Sequence, residues 1–285
     1  MPRRERVLVL RPGALGDTLL AVPALRALRR RFPGGRLTLA AHGPTARLLE
    51  IVGEVDRGVP FDHPSLGWLF DPSRRLDPDE SPTAVVAWVN GPASDFLGRL
   101  RTAGAGRVLV APSRPDEHAG VHCARHLVNT LEEWGVPMSL DDRPLCVTPQ
   151  PADEVLVHPG SGSVRKNWPP CRFAATIREF LEHGVMVRLV VGDADCEPAA
   201  ATERALGKRL PHLEQSNLSE LAAWLAGCRA YLGNDSGVSH LAGLVGARTV
   251  ALFGPTAPAT WAPLGPRVRT FPFEVHVARV VETLL

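Results

Sequence analysis

The chain has 285 residues, too many for one small module and enough for two domains of roughly 130–150 residues each. Its 45% hydrophobic and 22% charged residues make an ordinary globular composition, which excludes disorder over the whole chain. Lys+Arg 32 against Asp+Glu 30 leaves +2, and aromatics are only 6%, so a general nucleic-acid binder is excluded as well.

The spacing of apolar residues predicts a buried strand at Val7–Leu10 and a helix over Asp17–Arg31, stopped by Phe32-Pro33-Gly34-Gly35. A strand at Leu37–Ala41 and a helix at Thr45–Val52 follow, then a long Pro-, Asp- and Ser-rich loop from Pro60 to Pro82. Further on come a strand at Thr83–Val89, a helix at Ser94–Thr102, a strand at Arg107–Val110 and a helix at Cys123–Trp134. Val136–Asp153 carries Pro137, Pro144, Pro149 and Pro151 with little periodicity and reads as the linker. A second alternating set then begins. It has strands at Glu154–Val157, Val185–Val191, Ala230–Leu232 and Thr249–Phe253. Its helices are Pro170–His183, Glu197–Leu210, Leu218–Cys228 and Ser236–Val245. A Pro-rich stretch, Pro255–Pro266, leads to a last helix at Glu274–Leu285. Two blocks of strand–helix alternation imply two doubly wound α/β domains, and such sheets bind ligands at the carboxyl ends of their strands.

Three loops that follow strands have the residues for chemistry. In Arg11-Pro12-Gly13-Ala14-Leu15-Gly16-Asp17, Gly13 and Gly16 allow close backbone approach, and Asp17 opens a helix either as a cap or as a general base. The glycine spacing does not match a dinucleotide fingerprint. In His158–Pro169 the small residues at 160–163 and Lys166 form either a phosphate cradle or an ordinary surface turn. Lys occurs only at 166 and 208 in a chain that otherwise uses Arg, which makes this one informative. In Gly233–His240, Asp235-Ser236-Gly237 place backbone N–H groups at a helix start, an anion site, with His240 one turn on. Asp235, Ser236 and His240 lie too close along one helix start to work as a hydrolase triad.

Residues 1–50 hold ten Arg against Glu5, Asp17 and Glu50, a local +7 that suits either an anionic partner or a solvated surface. Five widely spaced Cys without a CxxC pair argue against a disulfide framework and a zinc site and fit a reducing cytoplasm. The apolar run at Val7–Leu10 is cut at Arg11, short of a signal peptide, and no stretch approaches the roughly 20 apolar residues of a membrane span. The expectation is a cytoplasmic protein, at most peripheral at the inner face of a membrane.

At these loops the sequence resembles glycosyltransferase family 9, the ADP-heptose:lipopolysaccharide heptosyltransferases. The matching segments are VLVLRPGALGDTLLAVPALRALRRRFPGGRLTLAAHGP, VLVHPGSGSVRKNWPPCRFA and YLGNDSGVSHLAGLVGARTVALFGPTAPATWAPLGP, in that order; residues 55–135 carry no resemblance. The resemblance implies a GT-B fold, two Rossmann-like domains facing across a cleft. Residues 1–148 would form the acceptor side and 149–285 the nucleotide-sugar-binding domain, with the last helix, 274–285, returning toward the first. It implies an inverting transfer from an ADP-sugar donor with no cofactor and no bound metal. Asp17 matches the family's catalytic base and Lys166 its donor-phosphate lysine. Asp235, Ser236, Gly237 and His240 match the segment around the diphosphate. Ser161 and Ser163 fall where the family has hydroxyls near phosphate, and Glu197 where an acid meets the ribose. Arg11, Gly13 and Gly16 would border the acceptor, which the resemblance makes an anionic, lipid-linked saccharide. Two other readings stay open: a GT-B transferase with another nucleotide sugar or a natural-product acceptor, and a non-catalytic nucleotide-sugar-binding protein.

Overall fold

A computed structural model describes residues 4–71, 73, 81–90, 93–116, 119–214 and 217–285, with the backbone alone over 93–95. The chain divides into two compact units, Met1–Asp141 and Asp142–Leu285. The division falls inside the Pro-rich linker segment, ahead of the boundary at 148/149 expected from the sequence.

The first unit runs β1 (Arg6–Arg11), α1 (Leu15–Leu19), α2 (Val22–Arg31), β2 (Arg36–Ala41), α3 (Gly43–Ile51) and β3 (Arg57–Pro60). It continues with β4 (Ala84–Trp88), α4 (Ala93–Thr102), β5 (Arg107–Ala111) and α5 (Cys123–Asn129). Its strands form one parallel sheet in the order β3-β2-β1-β4-β5. The central strands are continuous apolar runs because helices cover both faces of such a sheet; every residue of β4 is buried. The single helix expected over Asp17–Arg31 is broken into α1 and α2. Pro23 sits in the first turn of α2, where its missing N–H costs nothing, whereas mid-helix it would have broken the ladder. The helix expected over Cys123–Trp134 ends at Asn129, and a 3-10 turn, Glu132–Trp134, follows. The loop expected from Pro60 to Pro82 contains another such turn, Pro64–Leu69, which lays Leu66, Trp68 and Leu69 on the sheet. Residues 72 and 74–80 of that loop lie outside the described residues.

The second unit runs β6 (Glu154–His158), α6 (Pro170–Glu182), β7 (Met186–Val191), α7 (Cys196–Leu206), β8 (His212–Glu214) and α8 (Leu218–Gly227). It closes with β9 (Ala230–Asn234), α9 (Gly237–Leu244), β10 (Thr249–Phe253), α10 (Pro258–Trp261), β11 (Val268–Pro272) and α11 (Val277–Leu284). Its parallel sheet has the order β11-β10-β9-β6-β7-β8. α11 buries Val280, Val281 and Leu284 in the core of this unit, beside Phe173, Ile177 and Phe180 of α6. It begins at Val277 rather than Glu274 because Val268–Pro272 is taken up as β11. Three strands, β3, β8 and β11, were not expected from the sequence, and all three are sheet edges. No helix among the described residues is long and apolar enough to cross a membrane.

The arginines of α2 are tied down within the first unit. Arg26 is buried and chelates the Glu54 carboxylate, with Nη2 2.5 Å from Oε1, and its Nη1 reaches the Asp141 carbonyl at 3.0 Å. Arg30 meets Asp141 Oδ2 at 2.8 Å from an exposed position. Removing a buried partner strands the charges it neutralised, whereas an exposed pair contributes little. Arg26→Met is therefore expected to cost about 3 kcal/mol of unfolding free energy, and Arg30→Met under about 1 kcal/mol. Urea unfolding of the two variants checks the contrast, and equal losses would refute it.

Candidate active site

Each sheet reverses its winding beside one strand: β1 lies between β2 and β4, and β6 between β7 and β9. Loops leaving the carboxyl ends on either side of such a point diverge and open a crevice. The three chemistry-bearing loops of the sequence leave from β1, β6 and β9.

In the first unit, β1 ends at Arg11 and the chain turns through Gly13, whose φ of 146° lies in a region that side chains avoid. A Cβ at Gly13 would lie 2.9 Å from the Asp17 Cβ, so this glycine makes room for that residue. Gly16 lies in the first turn of α1 and its carbonyl accepts from Leu20 N–H. Asp17 is the third residue of α1. Its Oδ2 accepts the Ala14 N–H at 3.0 Å, closing the helix start, and its side chain remains 38% exposed. Arg11 lies beneath it, 1% exposed, with Nε donating to the Asp17 carbonyl at 3.2 Å and Nη2 3.6 Å from Oδ1. Burial pulls the Arg11 guanidinium below its ordinary pKa, against the charge of Asp17. Burial pushes the neighbouring Cys123 thiol up to about 11, so it stays neutral. Arg11, expected to border the acceptor, is thus a buried partner of Asp17. A cavity of about 570 Å³ opens beside Pro12 and Gly13, walled by Phe61, Phe70, Trp88 and Phe96, with Arg99, Asn90 and Ser113 as polar members.

In the second unit, the loop from Pro159 to Trp168 folds over the end of β9. Ser161 Oγ donates toward the Ser163 carbonyl and Asn167 Oδ1, each at 2.7 Å, so this hydroxyl shapes the loop, while Ser163 is exposed. A 3-10 turn, Val164–Lys166, lifts Lys166, whose Nζ meets Asp235 Oδ2 at 2.8 Å. The same oxygen accepts from Thr256 Oγ1 at 2.7 Å. Ser236 caps α9, its Oγ accepting the Ser239 N–H at 3.4 Å, and Gly237 is the first helical residue. His240 is buried one turn on, its N–H bonded to the Ser236 carbonyl. Lys166, Asp235, Ser236 and Gly237 are therefore gathered at one helix start, where unpaired N–H groups and the helix dipole favour an anion. Glu197 is not gathered with them: its side chain is 77% exposed and pairs with Arg204 at 2.6 Å. The acid after β7 that does reach the cluster is Asp195, whose Oδ2 lies 3.0 Å from His158 Nε2. Asn234, Thr256, His158 and Asp195 escaped the sequence reading. A signal existed for the first three, since all lie in matched segments, but side-chain partners far apart in sequence are not legible without coordinates.

The family model of glycosyltransferase family 9 (heptosyltransferase) matches residues 115–279, more than half of the chain. The chain belongs to glycosyltransferase family 9. This family 9 glycosyltransferase is 26% identical over 300 residues to lipopolysaccharide heptosyltransferase 1 of Pseudomonas aeruginosa, spanning 89% of the chain and 79% of that protein. The solved structure of Escherichia coli ADP-heptose lipopolysaccharide heptosyltransferase II superposes with a TM-score of 0.79 at 19% identity, covering 98% and 97% of the two chains. That of the Escherichia coli heptosyltransferase WaaC with ADP gives 0.73 at 15%, covering 97% and 98%. The fold of the family 9 enzyme is accordingly GT-B, with two Rossmann-like units.

Burial raises the Asp195 carboxyl of the family 9 enzyme, but the hydrogen bond and charge of His158 and the Gly192 N–H outweigh it, and the group sits below its ordinary value. A depressed carboxyl stabilises the fold fully above its unfolded pKa and loses that contribution as pH falls through the folded value. The stability difference between wild type and Asp195→Asn should shrink as pH falls from about 5 toward about 3. Urea unfolding across that range measures it; a difference that grows on acidification contradicts the pairing.

Proposed function

We propose that the chain transfers a heptose from ADP-heptose to a hydroxyl of a lipopolysaccharide-core-like acceptor, by direct displacement with inversion and without a bound metal or cofactor. The observation that carries the reading is the gathering of Lys166, Asp235 and the start of α9 at the switch point of the second sheet. A nucleoside diphosphate leaving group carries concentrated negative charge, and a Lys amine beside helix N–H groups answers it as a point charge with fixed dipoles. The names of the relatives supply the sugar and the acceptor: ADP-heptose in one solved structure, lipopolysaccharide in the curated relative.

Asp17 is the group suited to act as base. One carboxylate oxygen is engaged by the Ala14 N–H, and the other faces Arg11 at a distance too long for a hydrogen bond, on a side chain open to solvent. In the proposed step the acceptor hydroxyl gives its proton to Asp17 as its oxygen attacks the anomeric carbon. The bond from that carbon to the diphosphate oxygen breaks with its electron pair on ADP, and Lys166 with the α9 N–H groups stabilises the charge. Base assistance contributes roughly 10²–10⁴ in rate, and one preorganised donor at the leaving group about 10²–10³. Acting on a lipid-linked substrate, the enzyme would work in the cytoplasm, peripheral to the inner face of the membrane.

A second reading concerns the acceptor alone. The cavity beside Gly13 is walled mainly by aromatic rings, and Arg99 is the cation among its described lining residues. That favours an acceptor with an apolar face over a polyanionic one.

Asp17→Ala is expected to lower transfer on the order of 10²–10⁴-fold while leaving ADP binding intact, read by product mass spectrometry and calorimetry. Transfer near the wild-type rate would remove Asp17 as base. In a donor screen by mass spectrometry, ADP-heptose should be consumed in preference to UDP- and GDP-sugars. A clear preference for UDP would reject the heptose reading.

A further inference from the structure

We propose that His158 and Asp195 are positioning residues of the donor site, a buried acid–imidazole pair that fixes the Ser236 hydroxyl and with it the start of α9. The proposal rests on the reading of the α9 start as the diphosphate subsite. Three loops meet here from the neighbouring strands β9, β6 and β7. His158 is the last residue of β6, Asp195 directly precedes α7, and Ser236 caps α9. His158 Nε2 lies 3.0 Å from Asp195 Oδ2, and His158 Nδ1 lies 3.3 Å from Ser236 Oγ. All three are buried, at 3%, 6% and 8% exposure.

A serine cap needs no such support. Its own oxygen satisfies a helix N–H, and burying an imidazole and a carboxylate behind it is costly unless both are paired. The local chain is shaped to accept that cost. Asp195 Oδ2 also takes the Gly192 N–H at 2.9 Å. A Cβ on Gly160 would stand 1.8 Å from Asp195 Oδ1, so the β6 loop has a glycine where the carboxylate passes. With Nε2–H donated to Asp195, the ring orientation is set and Nδ1 faces Ser236. Ser236 Oγ then sits among His158 Nδ1, the Ser239 N–H and Ser239 Oγ, the last of these 3.3 Å away and 3.1 Å from the Tyr231 hydroxyl. The pair thereby couples the α9 start to the β6 loop that bears Lys166 and to the β7 loop.

Ser236, His158 and Asp195 have the order of contacts of a hydrolase triad, from hydroxyl to imidazole to carboxylate. The hydroxyl oxygen, however, caps α9 and is buried among side chains rather than presented to a substrate. The geometry therefore assigns positioning and not nucleophilic attack.

The test is a double-mutant cycle on ADP affinity, measured by calorimetry on the full chain. Asp195→Asn and Ser236→Ala should each weaken ADP on the order of tenfold, and the double variant should be no weaker than Ser236→Ala alone. His158→Gln, which keeps a donor toward Asp195 and lacks Nδ1, should match Asp195→Asn; it also serves if Asp195→Asn fails to fold. A merely structural pair would not couple to Ser236. Losses that multiply to about a hundredfold, or a folded Asp195→Asn or His158→Gln that binds ADP within about twofold of wild type, overturn the proposal. A wild-type chain that takes up no ADP overturns instead the diphosphate reading beneath it.

Discussion

The loop that carries Lys166 has almost no regular structure, and one amide side chain holds both of its ends. Asn234, fully buried at the end of β9, donates from Nδ2 to the carbonyls of Pro159 and Gly160 at 2.9 and 3.1 Å. Its Oδ1 accepts the Trp168 N–H at 2.9 Å. The excursion from 159 to 168 thus begins and ends on the same residue, and Trp168 is fastened in turn by its Nε1–H on the Phe273 carbonyl and an edge contact with Phe173. Without that amide, two carbonyls and an N–H would be left buried without partners, at about 1–3 kcal/mol each. Asn234 directly precedes Asp235, which holds the tip of the same loop through Lys166. Neighbouring residues therefore frame the loop and aim its charge.

The acids near these strand ends share one arrangement. Asp195 is held by the Gly192 N–H and His158, Asp235 by Lys166 and Thr256, and Asp17 by the Ala14 N–H with Arg11 nearby. Asp195 and Asp235 are 6% exposed, and in each the Oδ2 takes two donors, as buried carboxylates need partners. Asp17 departs from the pattern. Its side chain is open to water, at 38% exposure. A carboxylate that is oriented and reachable from solvent can take a proton from a ligand. That difference in exposure is what the proposal for Asp17 as base rests on.

The sequence made the interior of both units legible and their margins obscure. Central strands such as Val7–Leu10 and Thr249–Phe253 are buried on both faces, so their apolar runs stand out. The edge strands β3, β8 and β11 have one buried residue at most and no run to detect. Loop positions were legible for the same reason as the strands, since each follows one. Contacts across loops were not. Glu197 looked like the acid after β7, but it begins α7 on the outer face, and the inward residue is Asp195, two positions earlier. Arg11 was expected to border the acceptor, yet the buried run of β1 continues through its position and carries it inside. His158 lies in a matched segment but nothing local links it to Asp195; the two are joined only by adjacency of β6 and β7.

That burial also decides how the basic N-terminal segment should be understood. Residues 1–50 carry +7, while residues 51–141 hold eight Arg against thirteen acids, or −5, so the first unit sums to +2. The structure pairs the two stretches directly: Arg26 with Glu54 and Asp141, Arg29 with Asp56, Arg30 with Asp141. The excess is an artefact of where the chain is cut, because one stretch supplies cations that the next neutralises. A unit so balanced projects little field beyond a Debye length of about 8 Å at physiological salt, and long-range steering of an anionic acceptor is weak. Under the proposed function, recognition of the acceptor would then come from contact, at the aromatic cavity beside Gly13 and its Arg99.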